Sequence, residues 1–371
     1  MLSRIKKVQK YILYILYLAV IVILFLEIFL RFYYPFPRSL KGDNWEMATN
    51  KTFTLNNDFN KRLDPVIINR RNSIGFRGDN PPVDIHNKLS IVAIGGSTTA
   101  CTFLSEGKTW VDQLGEKLNR IRPDVWINNA GIDGHSTYGH LNFLYYYLPI
   151  LSFKPKIALF LVGANDVDRD DLAVVDSSAY KSVSFRWKAW FKKNSKTVNF
   201  LYDLKWMIHP VDIFTDKQNW DFANFRSIEL ENAYIDSALK KQDIILQRYR
   251  ERLNNIIALC KQDQIQPVFI TQPLVFGDGT MNGGNPAIDF HVFHDSENGM
   301  LFWKKLQLFN KATMQVADAN KVLCIDLAAK MPKDTLYYYD IVHYTNEGAA
   351  KVADIIYDAL TPRLSKDGLN F

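Results

Sequence analysis

Between residues 89 and 360 short apolar runs alternate with longer segments whose apolar residues recur at helical spacing. The runs at 89–95, 125–129, 156–162, 266–271 and 322–326 have strand length. Segments 109–121, 138–151, 244–260, 302–317 and 348–360 read as helices. Parallel neighbours need a crossover, so this alternation calls for βαβ units and a sheet covered on both faces. The expected class is α/β: a flavodoxin-like three-layer α/β/α sandwich with a mainly parallel five-stranded sheet, over residues 88–365. Ligands of such sheets bind beyond the C-terminal ends of the strands.

A different solvent governs the N-terminus. Residues 11–26 carry no charge, and the apolar run reaches residue 30 with only Glu27 interrupting it. Twenty residues at about 1.5 Å each span about 30 Å, one bilayer core. Arg4, Lys6, Lys7 and Lys10 precede the run, which predicts a cytoplasmic N-terminus. Glu27 and Arg31 form an i,i+4 pair near the far interface, followed by Tyr33, Tyr34 and Phe36 as an aromatic belt. The run is too long for a cleaved signal, and no small-x-small site follows it. The reading is a single-pass anchor over 1–36 that contacts the membrane through residues 11–30, with the rest extracytoplasmic. Residues 37–87, polar and punctuated by Pro, Gly and Asn, are expected to be a stem. The turn-rich stretch 72–78 is expected to pack on the domain edge.

Composition removes several classes of function. A net charge of +6 in 371 residues makes no case for nucleic acid. Three cysteines without a CxxC or a Cys/His cluster give no zinc site. Cys260 and Cys324 lie in apolar surroundings and read as core. Cys101, four residues after Ser97, is a rival nucleophile or a small packing residue, and the second reading is preferred.

The chemistry-bearing residues fall at the predicted strand ends. Ser97 follows the first strand in Gly95-Gly96-Ser97-Thr98, and Asn129, Gly131 and Gly134 close the second. Asn165 follows the third, and Asp340 and His343 precede the last helix. A serine hydroxyl is a weak nucleophile until a histidine takes its proton and an acid fixes that histidine's tautomer.

These four blocks, in this order, resemble the SGNH (GDSL-type) hydrolases from about residue 89 to 360. The resemblance implies that Ser97 is the nucleophile, His343 the general base and acid, and Asp340 its orienter. It also implies an oxyanion hole made by the Ser97 N–H, the Gly134 N–H and the Asn165 side chain. Gly134 is preferred over Gly131 because its spacing from Asn129 matches the family block. The chain departs from the family at Gly96, where an Asp is usual.

Other features have plainer readings. Asp166, Asp168, Asp170 and Asp171 lack the Gly and distal Glu of a calcium loop, so a solvated acidic face is expected. His291 and His294, with Asp289 and Asp295, read as a loop near the substrate mouth. Within an insertion at about 168–240, residues 181–205 hold seven Lys or Arg, interleaved with Trp187, Trp190 and Phe191 and followed by Trp206. That suits a helix packed on the domain, a foot on an anionic membrane or a lid.

The expected activity is serine-dependent ester hydrolysis without metal or organic cofactor. The expected partner is an ester substrate such as an acylated polysaccharide or lipid of a bacterial cell envelope, the bacterial setting being implied by the resemblance. An O-acyltransferase using the same residues and a non-catalytic envelope binding protein are the alternatives. The acceptor and the oligomeric state have no signature in the sequence.

Overall fold

A computed structural model of the chain describes residues 2–33, 40–41, 46–169, 194–198, 200–201, 204, 220–278, 286–293, 297–365 and 368–369. It divides into two compact units, Met1–Arg38 with Ala179–Asp212, and Ser39–Ser178 with Ile213–Phe371. In the first, helix α1 (Leu2–Phe32) is long and apolar enough over Lys7–Phe32 to cross a membrane. Its one interior acid is satisfied: Glu27 pairs with Arg31 at 3.2 Å, as expected, and also accepts from Ser195 Oγ and the Lys196 and Thr197 N–H groups.

The second unit is built on five parallel strands, β1 (Leu89–Gly95), β2 (Val125–Asn129), β3 (Ile157–Val162), β4 (Gln266–Thr271) and β5 (Leu323–Ile325). They lie in the order β2-β1-β3-β4-β5, the flavodoxin-like arrangement. Every residue of β1 and β3 is buried, because helices cover both faces. Side chains alternate between two cores. Leu89, Ile91 and Ala93 join that of α2 (Trp110–Ile121) and α5 (Asn346–Leu360). Val92 and Ile94 join that of α3 (Gln242–Gln262) and α4 (Gly299–Ala319). Each buried Leu, Ile or Val among them contributes about 1.5–3 kcal/mol.

The caps explain the helix starts. Thr109 and Asp112 form a reciprocal capping box on α2, and Thr345 accepts from the Gly348 N–H to start α5. Segment 138–151, expected as one helix, is an α-helix at Thr137–Asn142, a wide π turn at Phe143–Tyr147 and a 3-10 turn at Leu148–Ile150. Pro149 has no N–H to continue the ladder.

Much of the expected stem is folded into this unit. Lys51–Asn56 and Val66–Arg71 form an antiparallel hairpin, and Ile67, Asn69, Phe76 and Arg77 are buried. Arg77 exchanges both backbone hydrogen bonds with Asn129, extending the sheet edge beyond β2. Its guanidinium, fully buried, donates to the carbonyls of Ala100, Cys101 and Leu104 and pairs with Glu106 at 2.8 Å.

Candidate active site

Ser97 opens the one-turn helix Ser97–Ala100 directly beyond β1. The turn is tight at Gly96, where a Cβ would meet Asn165 Nδ2 at 2.4 Å and the His135 carbonyl at 2.9 Å. A side chain there has no room, which gives the departure from the usual Asp a local reason. The chain leaves the turn through Cys101 in the left-handed region (φ 47°), held by Arg77.

Asp340 and His343 sit in a loop closed by pairing of Tyr338 with Tyr344. Asp340 Oδ1 accepts the N–H groups of Val342 and His343, so the loop is organised around the carboxylate. Its Oδ2 lies 2.6 Å from His343 Nδ1, and His343 Nε2 lies 2.6 Å from Ser97 Oγ. Burial alone would raise the Asp340 pKa; the facing His343 and the two N–H donors overcome it and hold the carboxyl below its ordinary range. Thr345, rather than Asp340, caps α5, so the carboxylate has no other duty there.

Asn165 follows β3 on a turn that starts at Gly163 (φ 122°), and one of its amide N–H groups donates to the His135 carbonyl at 3.0 Å. Among the described residues this amide nitrogen makes no other hydrogen bond. Gly131 N–H is committed to Asn129 Oδ1 at 2.9 Å. Gly134 (φ 76°) has no such bond on its N–H among the described residues. Ser97, Gly96, Asn165, His135, His140, Leu161 and Gln272 line one cavity of about 20 Å³.

Several residues here had no signal in the sequence reading. Asp166 was expected on a solvated face and is instead 1 % exposed. It accepts from the Thr137 N–H and hydroxyl and pairs with Arg252 at 3.2 Å, while Arg252 Nε donates to Thr137 Oγ1. This knot ties the turn carrying Asn165 to the segment after Gly134. Asp168 is likewise engaged, by Lys305 and Gln242, and Asp170 and Asp171 lie outside the described residues. His140 is buried, neither ring nitrogen has a hydrogen-bond partner among the described residues, and burial, with His135 nearby, pushes its imidazole down to about 3. The acids carry no local mark of these pairings because Arg252 and Lys305, which pair with Asp166 and Asp168, come from far along the chain.

Cys101 is buried, its Sγ is 3.3 Å from the Thr98 carbonyl, and burial pushes its thiol up to about 12. Its burial fits the packing reading. Cys260 is buried as expected, whereas Cys324 is only partly so. Among the described residues no group of His, Cys, Asp and Glu could hold a metal. Asp289 is buried and accepts the Gly277 N–H, and His291 stacks on Phe225. His294 and Asp295 lie outside the described residues, as do Trp187, Trp190, Phe191 and Trp206 of the basic insertion.

The GDSL-like lipase/acylhydrolase family model matches residues 93–351. No curated protein matches the sequence. Among solved structures, LAE5, an α/β hydrolase enzyme from the metagenome of Lake Arreo, Spain, aligns with TM-score 0.42 and 14% identity, over 73% of this chain and 94% of its own. Axe2, an acetylxylan esterase from Geobacillus stearothermophilus, aligns with TM-score 0.42 and 15% identity, over 73% and 93%.

Proposed function

Since the chain belongs to the GDSL-like lipase/acylhydrolase family and is an SGNH-type serine esterase, we propose that it hydrolyses small O-acyl esters of a cell-envelope glycan or lipid through an acyl-enzyme on Ser97. The observation that carries this is the continuous relay from Ser97 Oγ through His343 to Asp340, two contacts of 2.6 Å.

Asp340 keeps the proton of the neutral imidazole on Nδ1, leaving Nε2 to accept the Ser97 hydroxyl proton. As that proton moves, Oγ bonds to the ester carbonyl carbon and the carbonyl electron pair moves onto oxygen. The N–H groups of Ser97 and Gly134 and the second N–H of Asn165 receive that oxyanion. One such donor contributes about 3–4 kcal/mol. The imidazolium then gives its proton to the departing alkoxide. Water, deprotonated by His343, attacks the acyl carbon; the C–Oγ bond breaks, the imidazolium returns its proton to Ser97 Oγ, and the acid leaves.

In this reading α1 tethers the catalytic unit to a membrane, with Arg4, Lys6, Lys7 and Lys10 on the cytoplasmic side and the site on the other. The test is p-nitrophenyl acetate hydrolysis by residues 46–371, alongside Ser97→Ala and His343→Ala. Activity in the parent and its loss in both variants is expected. A folded parent that is inert contradicts the reading.

A further inference from the structure

The His343 ring lies parallel to and offset from an aromatic ring, beside its two hydrogen-bonding partners. The rings of Tyr339 and His343 are stacked, with centroids 5.6 Å apart and planes 11° from parallel. Tyr339 is 6 % exposed, so the stack is shielded from water on the tyrosine side. The arrangement is fixed from behind. Phe103 packs edge-on against Tyr339 at 6.2 Å, and Phe59 packs edge-on against Phe103 at 5.4 Å. The Tyr339 N–H donates to the His343 carbonyl at 3.0 Å, and Asn60 Nδ2 reaches the Tyr339 carbonyl.

We propose that Tyr339 is a positioning residue for His343: its ring face holds the imidazole parallel and stabilises the imidazolium that forms when Ser97 gives up its proton. The inference rests on the assignment of Ser97, His343 and Asp340 made above. An aromatic face within about 6 Å of a cation attracts it through the ring quadrupole, more strongly when both are desolvated. The neutral imidazole gains much less from the same face. The contribution therefore appears mainly when charge develops on the ring, where it favours the transition state over the ground state.

Among the described residues the other groups around the loop have different partners. Asp340 faces Nδ1 and Ser97 faces Nε2. Arg62 approaches from the N-terminal segment, but its guanidinium is committed to the carbonyls of Thr335 and Tyr338. Lys333 donates to the Leu274 carbonyl, and Asp64 is held by Lys108 and Asn346.

The experiment is the pH profile of kcat/KM for p-nitrophenyl acetate in Tyr339→Phe, Tyr339→Leu and Tyr339→3,4,5-trifluorophenylalanine. Stabilising the cation raises the base's pKa, so removing the electron-rich face must move the acid limb to lower pH. A shift of about 0.5 pH unit and a threefold to tenfold loss at the plateau are expected for the Leu and trifluoro variants. Tyr339→Phe should restore the limb, because the ring face survives. The fluorinated ring keeps the shape, so it decides the matter even if Tyr339→Leu does not fold. An acid limb that stays in place across the folded series overturns the proposal, whatever happens to the plateau. If the parent shows no ester hydrolysis, the same shift is read from NMR titration of the His343 imidazole, which separates failure of this inference from failure of the esterase assignment.

Discussion

Gly96 shows how tightly the nucleophile turn is built. A methyl at this position cannot coexist with Asn165 Nδ2 where it stands, since the two would be 2.4 Å apart. Gly96→Ala should displace the Asn165 amide and lower kcat/KM by about 10²-fold, the usual loss for one oxyanion donor. Its melting temperature should change little; unchanged kinetics would remove Asn165 from the mechanism. Lys333 tests the electrostatics of the same region. The residue is 5 % exposed, and burial, opposed by Asp289, lowers its pKa from 10.5 to about 8. The unfolded chain binds this proton more tightly, so the lysine is destabilising at low pH and the penalty is relieved as pH rises from 8 to 10.5. Relative to Lys333→Met, the parent should therefore gain up to about 3 kcal/mol over that window in denaturant titrations. A parallel pH dependence in the two proteins contradicts this.

The elements divide into those whose burial is local in sequence and those whose burial is not. β1 and β3 were legible because apolar residues fill both faces, and α2 because its apolar residues recur at helical spacing. The hairpin Lys51–Asn56 with Val66–Arg71 was not, since its sequence reads as a polar loop. What buries it is long-range: Arg77 finds three carbonyls some 25 residues downstream, and its strand partner is Asn129. Asp166 escaped for the same reason, its counter-charge being Arg252 on α3. The blocks proposed as the site were legible because Ser97 and Asn165 follow strands, and Asp340 and His343 precede the last helix, at element ends that periodicity locates. Arg77→Met, which leaves Glu106 and the three carbonyls without their donor, should cost about 3–5 kcal/mol in chemical denaturation. A loss below about 1 kcal/mol would mean that the 100–106 segment holds itself.

At the scale of the molecule, the segment before the sheet belongs to the catalytic unit. Arg62, Asn60 and Asp64 grip the loop that carries Asp340 and His343 through Thr335, Tyr338, Tyr339 and Asn346. A fragment starting at residue 46 should fold and turn over ester, whereas one starting at residue 72 should lose most activity and melt at lower temperature. Equal activity of the two would make the hairpin dispensable. The central claim is that Ser97 becomes covalently acylated, and trapping it is the most direct measurement. The protein is treated with a fluorophosphonate and the modified peptide located by mass spectrometry. One adduct, on Ser97, formed by the parent and absent in Ser97→Ala, is the predicted result. A folded parent that forms no adduct, or carries it on another residue, contradicts the account.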